Sequence, residues 1–259
     1  MVVADLHVHT TNSDGVLTLP SLPAAAERAG VTAVAITDHD RIHPELSAPV
    51  VDLDGLAVVS GIELRVESPA GRVDLLGYGV RPTDALESLV ERLQADRIER
   101  ARAIVDRVED RLGVELAIEP REGIGRPHIA RAIGDASGYT YQGAFDELIG
   151  DGRPCYVPRD LPSFREGRRT LAAACDLVGL AHPLRYDDPE AALELCADLD
   201  AVELFYPYDR AVDSAPVERA LERYDLVATG GSDAHDETLG RAGLDADAYR
   251  RFRSSLTPD

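Results

Sequence analysis

The chain has 259 residues, 44% of them hydrophobic, and its 27 basic and 47 acidic residues give a net charge of −20. This length and hydrophobic content suit one large core, or a barrel with a modest insertion. The charge argues against nonspecific binding to duplex nucleic acid, which needs a basic surface. No apolar stretch is long enough to span a bilayer, so a membrane protein is not expected.

All basic residues other than histidine are arginines, and the sequence contains no lysine. An acidic, lysine-free composition indicates a halophilic protein, since salt screens the repulsion between its carboxylates. A GC-rich genome that favours arginine and alanine codons is an alternative explanation. The cysteines Cys155, Cys175 and Cys196 form no paired motif, and the N-terminus shows no export signal. We therefore expect buried thiols and a reducing, cytoplasmic location.

In the first third of the chain, short apolar runs end in residues capable of chemistry. Residues 2–8 alternate in polarity and lead into His9, and the helical pattern of residues 19–29 is closed by a glycine. Two further runs, residues 33–37 and 57–62, lead into Asp38-His39-Asp40 and into Glu63. This pattern indicates strands that deliver polar side chains at their carboxyl ends.

The middle of the sequence has a different pattern. Residues 84–112 form a charge-rich stretch with helical periodicity, which Gly113 ends. Residues 121–158 contain shorter helical pieces with glycine and proline, and no convincing strand. We interpret residues 82–162 as a mostly helical insertion over the mouth of a barrel.

The apolar runs return in the last third. Residues 177–180 lead into His182, and residues 227–231 lead into Asp233 and His235, with a helical pattern at residues 189–197 between them. Alternating strands and helices predict a parallel sheet. Polar residues at the carboxyl ends of successive strands are typical of a barrel active site.

These strand-end residues together predict a metal site. His7 and His9 are two residues apart on one strand and point to the same face, where Asp5 could orient one of the rings. Any single member could be an ordinary buried histidine, turn or helix cap, but the coincidence at several strand ends favours ligands. The predicted set also contains Asp14, His39, Glu63, His182, Asp233 and His235.

Imidazole and carboxylate ligands without thiolates suit Zn, Mn or Fe. A carboxylate that bridges two such cations would hold them about 3.5–4 Å apart. His43 has no comparable context, so we predict an ordinary surface residue there.

Five motifs resemble the PHP (polymerase and histidinol phosphatase) family, in its branch of nucleotide phosphoesterases. They lie at residues 5–15, 36–40, 61–63, 181–183 and 231–235, and they occur in the family's order. The resemblance implies an α/β fold, a distorted (β/α)7 barrel with a helical insertion. Residues 1–81 and 163–259 would form the barrel, which would hold a di- or trinuclear metal centre.

The resemblance also implies three metal positions. The first would be held by His7, His9, Glu63 and Asp233, the second by Glu63, His182 and one more ligand, and the third by Asp14, His39 and His235. The family usually has a histidine as the remaining ligand, where this sequence has Asp74. A carboxylate there adds negative charge and should favour a harder cation such as Mn²⁺.

Within the insertion, residues 125–131 resemble the Arg-Pro-His element of the nucleotide phosphoesterases. The resemblance implies that Arg126 and His128 act in catalysis by binding substrate phosphate, for which arginine has a suitable fork of donors. Alternatively, Arg126 is one of many surface arginines and His128 merely lies at the start of a helix.

These features predict a metal-dependent phosphoesterase that hydrolyses small nucleotides, with two or three divalent cations (Mn, Zn or Fe) and a metal-bound hydroxide. Nucleoside 3′,5′-bisphosphates or the ends of short oligonucleotides are the expected substrates. A histidinol-phosphate phosphatase shares the metal motifs and is an alternative, although the Arg-Pro-His element argues against it. A non-catalytic, regulatory metal-binding module is a further alternative, which the nearly complete ligand set disfavours.

Overall fold

The computed structural model describes residues 1–257. Each helix within this range is too short or too polar to span a bilayer. The chain forms two compact units, Met1–Ser88 with Leu161–Asp259, and Leu89–Asp160. The first unit contains every strand among the described residues, and the second is built from helices and loops.

The strands of the first unit form one mixed sheet. They are β1 (Ala4–Val8), β2 (Ala33–Ile36), β3 (Val50–Leu53), β4 (Leu56–Ser68), β5 (Gly71–Tyr78), β6 (Leu177–Leu180), β7 (Ala201–Phe205) and β8 (Val227–Gly230). Seven follow the order β1-β2-β4-β5-β6-β7-β8, and β3 pairs only with β4. After β8, Ala234 bridges to Val8 of β1, which closes a distorted seven-stranded β/α barrel.

The prediction of a parallel sheet is right at the two ends of the strand order and wrong in the middle. Strands β1, β2 and β4 pair in parallel, as do β6, β7 and β8. Strand β5 runs antiparallel to both β4 and β6, and β3 runs antiparallel to β4. Only Pro69 and Ala70 separate β4 from β5, and so short a connection permits a hairpin but no crossover helix.

The helices are α1 (Leu22–Ala29), α2 (Asp84–Leu112), α3 (Arg126–Ser137), α4 (Tyr141–Ala144), α5 (Phe164–Ala172), α6 (Pro189–Glu194), α7 (Ala215–Tyr224) and α8 (Ala246–Ser254). Gly113 follows α2 in the left-handed conformation, with φ 66°, as expected of a residue that ends a helix. In the segment 121–158 the structure has α3, α4 and a π-helical turn, Phe145–Ile149, and no strand.

Strand β2 shows why the apolar runs form buried strands. Its four residues are fully buried, because alternate side chains enter different clusters. Val34 and Ile36 pack with Leu22 of α1, whereas Ala33 and Ala35 share a cluster with Phe252 of α8. A strand covered on both faces therefore appears in the sequence as a continuous apolar run.

The second unit has a core of its own. Ile104 and Val108 of α2 pack with Ile129 and Ile133 of α3 and with Leu148 of the π-helical turn, and all are at most 2% exposed. The spacing of four residues on both helices places each pair on one face, so the two faces can bury each other.

Candidate metal centre

The structure brings the predicted ligands together in the first unit. The ends of β1, β2, β6 and β8, the middles of β4 and β5 and the turn after β1 contribute them. Three groups have ligand atoms within 4.8 Å of one another: His9, Asp14, His39 and His235; His7, His9 and Glu63; and Glu63, Asp74 and His182. The groups share His9 and Glu63, so they are parts of one centre.

Glu63 lies in the middle of this arrangement and is 1% exposed. Its Oε1 is 3.5 Å from Nε2 of His7 and 3.1 Å from Nε2 of His182. Its Oε2 is 3.4 Å from Nε2 of His9 and 2.7 Å from Nδ1 of His39. Because the two oxygens face different histidines, Glu63 has the geometry of a carboxylate that can bridge two cations.

Asp233 turns one oxygen toward the histidines and keeps the other in hydrogen bonds. Its Oδ1 is 3.5 Å from Nε2 of His7 and 3.1 Å from Nε2 of His9. Its Oδ2 accepts hydrogen bonds from the hydroxyl of Tyr206 at 2.8 Å and from Nη1 of Arg185 at 3.1 Å. These two donors fix the carboxylate, so Oδ1 is held toward the centre.

Asp14 reaches the centre through the predicted turn after β1. Its Oδ1 is 3.3 Å from Nε2 of His235 and 3.9 Å from Nε2 of His39. His235 donates a hydrogen bond from Nδ1 to the backbone carbonyl of Asp233 at 3.0 Å, so Nε2 is the ring nitrogen turned toward Asp14. The turn requires Gly15, because a Cβ atom there would collide with the carbonyl of His9.

Glu203 is a site residue that the sequence analysis missed. It is fully buried on β7, and its Oε1 lies 3.1 Å from Nδ1 of His7 while Oε2 accepts a 2.7 Å hydrogen bond from the amide of His182. A carboxylate behind a histidine fixes its tautomer and its orientation. The signal in the sequence is that Glu203 is the one charged residue in the otherwise apolar stretch of residues 201–205.

The prediction that Asp5 orients a histidine ring is wrong. The Asp5 carboxylate instead accepts hydrogen bonds from the backbone amides of His7, Ser232 and Gly240. It therefore links β1 to the segment after β8, and Glu203 takes the role of orienting His7.

Asp74 lies beside His182, at the second of the three predicted metal positions. Its Oδ2 is 3.6 Å from Nε2 of His182. Both oxygens also accept hydrogen bonds from Arg65, from Nε to Oδ1 at 2.7 Å and from Nη2 to Oδ2 at 2.6 Å. Arg65 is a partner that the sequence did not reveal.

Three residues of this edge have left-handed backbone conformations, Asp40, His182 and Asp233, with φ of 51°, 30° and 49°. Such conformations cost about 1–3 kcal/mol at residues other than glycine, and they persist where surrounding contacts enforce them. The amide of Asp40 donates to the carbonyl of Glu63, and its Oδ1 accepts from the amide of Arg65. The surrounding hydrogen bonds thus hold an unfavourable backbone next to the ligands.

Unsatisfied buried atoms indicate that the centre fits a metal. Among residues 1–257, Nε2 of His7, both ring nitrogens of His9 and Oδ1 of Asp14 are buried and make no hydrogen bond. Leaving such atoms without partners costs about 1–3 kcal/mol each. Imidazole nitrogens and carboxylate oxygens that converge without thiolates are a donor set for Zn, Mn or Fe.

The pKa shifts of His9 and Glu63 favour the protonation states in which these two residues bind metal. Burial, together with the neighbouring His39 and His235, lowers the pKa of His9, which favours the neutral ring. Burial would raise the pKa of Glu63, but His39 and His7 outweigh it and lower that pKa well below its ordinary value. Neutral imidazoles and ionised carboxylates are the forms that bind a cation.

The pKa of His7 shifts in the opposite direction from that of His9. Burial alone would lower it, but the carboxylates of Glu203, Asp233 and Glu63 raise it well above its ordinary value. This excess of negative charge around His7 is what a bound cation would offset.

Arg126 and His128 belong to the second unit. Arg126 opens α3, and its Nη1 donates to Oδ1 of Asp151 at 2.6 Å and to the carbonyl of Ile149 at 3.3 Å. His128 accepts a 3.1 Å hydrogen bond at Nδ1 from the amide of Gly125. It also lines a groove of about 570 Å³.

The prediction that His43 lies on the surface is wrong, because it is only 7% exposed. The amide of Leu46, which is 6% exposed, donates to the carbonyl of His43 in a tight turn, and this turn carries both side chains inward. Burial lowers the pKa of His43.

Three curated relatives of this chain are named as enzymes that cleave phosphoester bonds. A relative from Eggerthella lenta, a phosphoribosyl 1,2-cyclic phosphate 1,2-diphosphodiesterase, is 30% identical over 90% of this chain and 94% of its own. A 5′-3′ exoribonuclease from Haemophilus influenzae is 27% identical over 89% of each chain. A 3′,5′-nucleoside bisphosphate phosphatase from Chromobacterium violaceum is 27% identical over 95% of this chain and 90% of its own.

The fold has a close counterpart among solved structures. A candidate metal-dependent phosphoesterase from Bifidobacterium adolescentis superimposes with a TM-score of 0.83 at 26% identity, over 99% of this chain and 97% of its own. The family model described as PHP domain matches residues 5–142, which include the first three motifs and the whole of α3, the helix that begins with the Arg-Pro-His element. The chain therefore belongs to the PHP domain family.

Proposed function

We propose that this chain is a metal-dependent phosphoesterase that hydrolyses phosphate esters of small nucleotides. The observation that carries the proposal is Glu63, whose two oxygens face separate sets of histidines in a buried centre. All three relatives are named for cleavage of phosphoester bonds, which supports the same reaction class here.

We assign the metal ligands in three overlapping sets. His7, His9, Glu63 and Asp233 would hold a first cation, Glu63, Asp74 and His182 a second, and Asp14, His39 and His235 a third. Two or three divalent cations are proposed, with Mn, Zn and Fe as the candidates. When bound, such cations supply positive charge to the phosphoryl oxygens and lower the pKa of an attacking water.

The remaining residues would position the ligands and the substrate. Glu203 orients His7, and Tyr206 and Arg185 hold Asp233. In the second unit, Arg126 and His128 are proposed to bind a substrate phosphate, to which the guanidinium can donate two parallel hydrogen bonds.

The substrate class follows from what the relatives share. Their names describe a phosphoribosyl cyclic phosphate, a nucleoside bisphosphate and an RNA processed from its 5′ end, and each of these contains a phosphorylated ribose. A nucleoside 3′,5′-bisphosphate or the end of a short oligonucleotide is therefore the favoured substrate. A net charge of −20 disfavours duplexes but is compatible with short strands.

The test is a substrate comparison with Mn²⁺-loaded protein in high salt, measured as released orthophosphate or mononucleotide. A nucleoside 3′,5′-bisphosphate, a 5′-phosphorylated oligoribonucleotide and histidinol phosphate are compared. We expect turnover of one or both nucleotide substrates, and loss of that turnover in His9→Ala. Turnover of histidinol phosphate alone would replace the proposed substrate class, and no turnover of any ester would support a non-catalytic module.

A further inference from the structure

Asp38 is a carboxylate of the first unit that lies outside the predicted ligand set. It follows β2 and directly precedes the predicted ligand His39, and it is fully buried. A buried carboxylate is unfavourable unless hydrogen bonds or a cation stabilise it. The groups that stabilise Asp38 therefore indicate what it does.

The donors to this carboxylate come from one short segment, the turn that follows β1. Oδ1 of Asp38 accepts hydrogen bonds from the backbone amide of Thr10 and from the hydroxyl of Ser13, both at 2.7 Å. Oδ2 accepts from the hydroxyl of Thr10 at 2.7 Å and from Nδ2 of Asn12 at 3.2 Å. Within residues 1–257 these four are the hydrogen bonds of the carboxylate, so the turn occupies both of its oxygens.

The same turn carries the predicted ligand Asp14, which directly follows Ser13. Asp14 is 6% exposed, and among the described residues its Oδ1 has no hydrogen-bond donor. Before a cation binds, an oxygen in that position is unfavourable. The contacts between Asp38 and the turn can offset this cost, because hydrogen bonds to an ionised acceptor are about twice as strong as those between neutral groups.

The backbone next to Asp38 is attached to a second ligand. The carbonyl of Asp38 accepts a 3.1 Å hydrogen bond from the amide of Glu63, and the amide of Asp40 donates to the carbonyl of Glu63 at 2.8 Å. His39 lies between these two contacts, so its backbone is fixed against β4. Asp38 thus connects the turn that carries Asp14, through its side chain, with the strand that carries Glu63, through its backbone.

We propose that Asp38 is a positioning residue for the third metal position, the one assigned to Asp14, His39 and His235. Its carboxylate holds the turn in the conformation in which Asp14 faces the two histidines. Asp38 does not bind the cation itself, because the turn occupies both of its oxygens. This role rests on the proposed metal centre and adds to it a residue that no ligand set contains.

The first experiment measures how many Mn²⁺ ions the full-length chain binds, and how tightly, by equilibrium dialysis with elemental analysis. Asp38→Asn keeps the size of the side chain but replaces one acceptor with a donor, which must then face the donors of the turn. We expect one cation to bind about ten- to a hundredfold more weakly, as is typical when an outer partner of a ligand is removed, and the others to bind as before. Unchanged affinity for every cation would overturn the proposal.

A double-variant comparison tests whether Asp38 acts through Asp14. Asp14→Ala removes the ligand itself and so defines the loss of this metal position. The double variant Asp14→Ala/Asp38→Asn should bind Mn²⁺ no more weakly than Asp14→Ala alone, because the turn then has no ligand to position. A further loss at the remaining cations would show that Asp38 acts on the centre as a whole, which contradicts the assignment.

Thr37→Val is the matched control for a general loss of stability. Thr37 directly precedes Asp38, and its hydroxyl accepts a 3.2 Å hydrogen bond from the buried amide of Val8, on β1 and before the turn. Thr37→Val should lower the thermal midpoint of unfolding and leave Mn²⁺ binding unchanged. If it weakened the same cation as Asp38→Asn, the effect would come from destabilisation and the positioning role would be wrong.

The variants also separate the role of Asp38 from the metal centre on which it depends. If Asp14→Ala loses no cation, the third metal position itself is wrong, and the role of Asp38 with it. If Asp14→Ala loses a cation and Asp38→Asn does not, the centre stands without this role. Should Asp38→Asn fail to fold, Ser13→Ala replaces it in every comparison, since it removes a single donor to Oδ1 and should weaken the same cation by a smaller factor.

Discussion

Arg65 holds both oxygens of Asp74 in a two-pronged ion pair, with N–O distances of 2.7 and 2.6 Å, at the edge of the candidate metal centre. The Asp74 carboxylate is 1% exposed and also lies 3.6 Å from Nε2 of His182. The pair is neutral overall, as is the histidine that the family usually has at this position. Arg65 thus offsets the negative charge that Asp74 adds. The atom that could bind a metal, Oδ2 of Asp74, is still a carboxylate oxygen, the ligand type that hard cations prefer.

The first prediction concerns this pair. Asp74→Ala should lose one bound cation and most of the activity, whereas Asp74→His should retain part of both. Because Asp74→His leaves Arg65 without its partner and beside a cation, the double variant Asp74→His/Arg65→Gln should bind metal better than Asp74→His alone. Mn²⁺ titration and elemental analysis measure this. Wild-type metal content in Asp74→Ala would show that Asp74 is not a ligand.

The second prediction is that the purified protein holds two or three divalent cations per chain. Glu63→Gln should release more than one of them, because Glu63 faces the histidines of several groups. Removal of the metals with a chelator should also lower the thermal midpoint, since ligands bound only by the folded state stabilise it. Elemental analysis that finds less than one cation per chain, with no uptake on soaking, would count decisively against the centre.

The third prediction tests Glu203 as a positioning residue. Glu203→Gln keeps the size of the side chain and a possible contact with Nδ1 of His7, but it removes the charge that favours the Nδ1-protonated tautomer. Metal affinity should fall about tenfold to a hundredfold, as is typical when such an outer partner is removed. Competition with a fluorescent chelator measures the affinity. The idea is wrong if Glu203→Gln binds Mn²⁺ as tightly as wild type.

The strand-end ligands could be predicted because each follows an apolar run whose direction decides where the next residue points. Glu203, Arg65 and Arg185 could not be, since each acts on a residue distant in sequence and belongs to no local motif. Arg65 meets Asp74 only because β4 and β5 form an antiparallel hairpin, in which these two residues are direct cross-strand partners. A parallel sheet, as the strand–helix alternation predicted, would not have paired them.

The fourth prediction concerns the thiols. Burial, aided by Asp176 in the case of Cys175, raises the pKa of Cys175 and of Cys196 to about 12. At pH 8 only about one such thiol in ten thousand is ionised, and the thiolate is the reactive form. Burial also raises the pKa of Cys155, which is 1% exposed. The native protein should therefore resist iodoacetamide at pH 8.

Mass spectrometry checks this prediction. After unfolding in guanidinium chloride at the same pH, all three cysteines should become alkylated, which serves as the control for reagent activity. Rapid labelling of one cysteine in the folded protein at pH 8 would contradict the shielding described for that site.

The fifth prediction separates substrate binding from metal binding. Arg126 contacts Asp151 and Ile149 in the second unit, whereas the metal-ligating groups all belong to the first. Arg126→Ala should therefore leave the metal content unchanged. If Arg126 binds substrate phosphate, the loss of a charge-assisted contact worth about 1.5–3 kcal/mol should lower kcat/KM on a nucleoside 3′,5′-bisphosphate by about ten- to a hundredfold.

Two control variants are compared with Arg126→Ala. Asp233→Ala should lose metal and nearly all activity together, because Oδ1 of Asp233 faces His7 and His9. Arg131→Ala changes an arginine on the same helix, α3, and serves as the comparison for a general loss of positive charge. Normal hydrolysis by Arg126→Ala would remove the main support for a phosphate contact from the Arg-Pro-His element. Loss of metal in that variant would instead show that Arg126 stabilises the centre, so its kinetic effect could not be assigned to substrate.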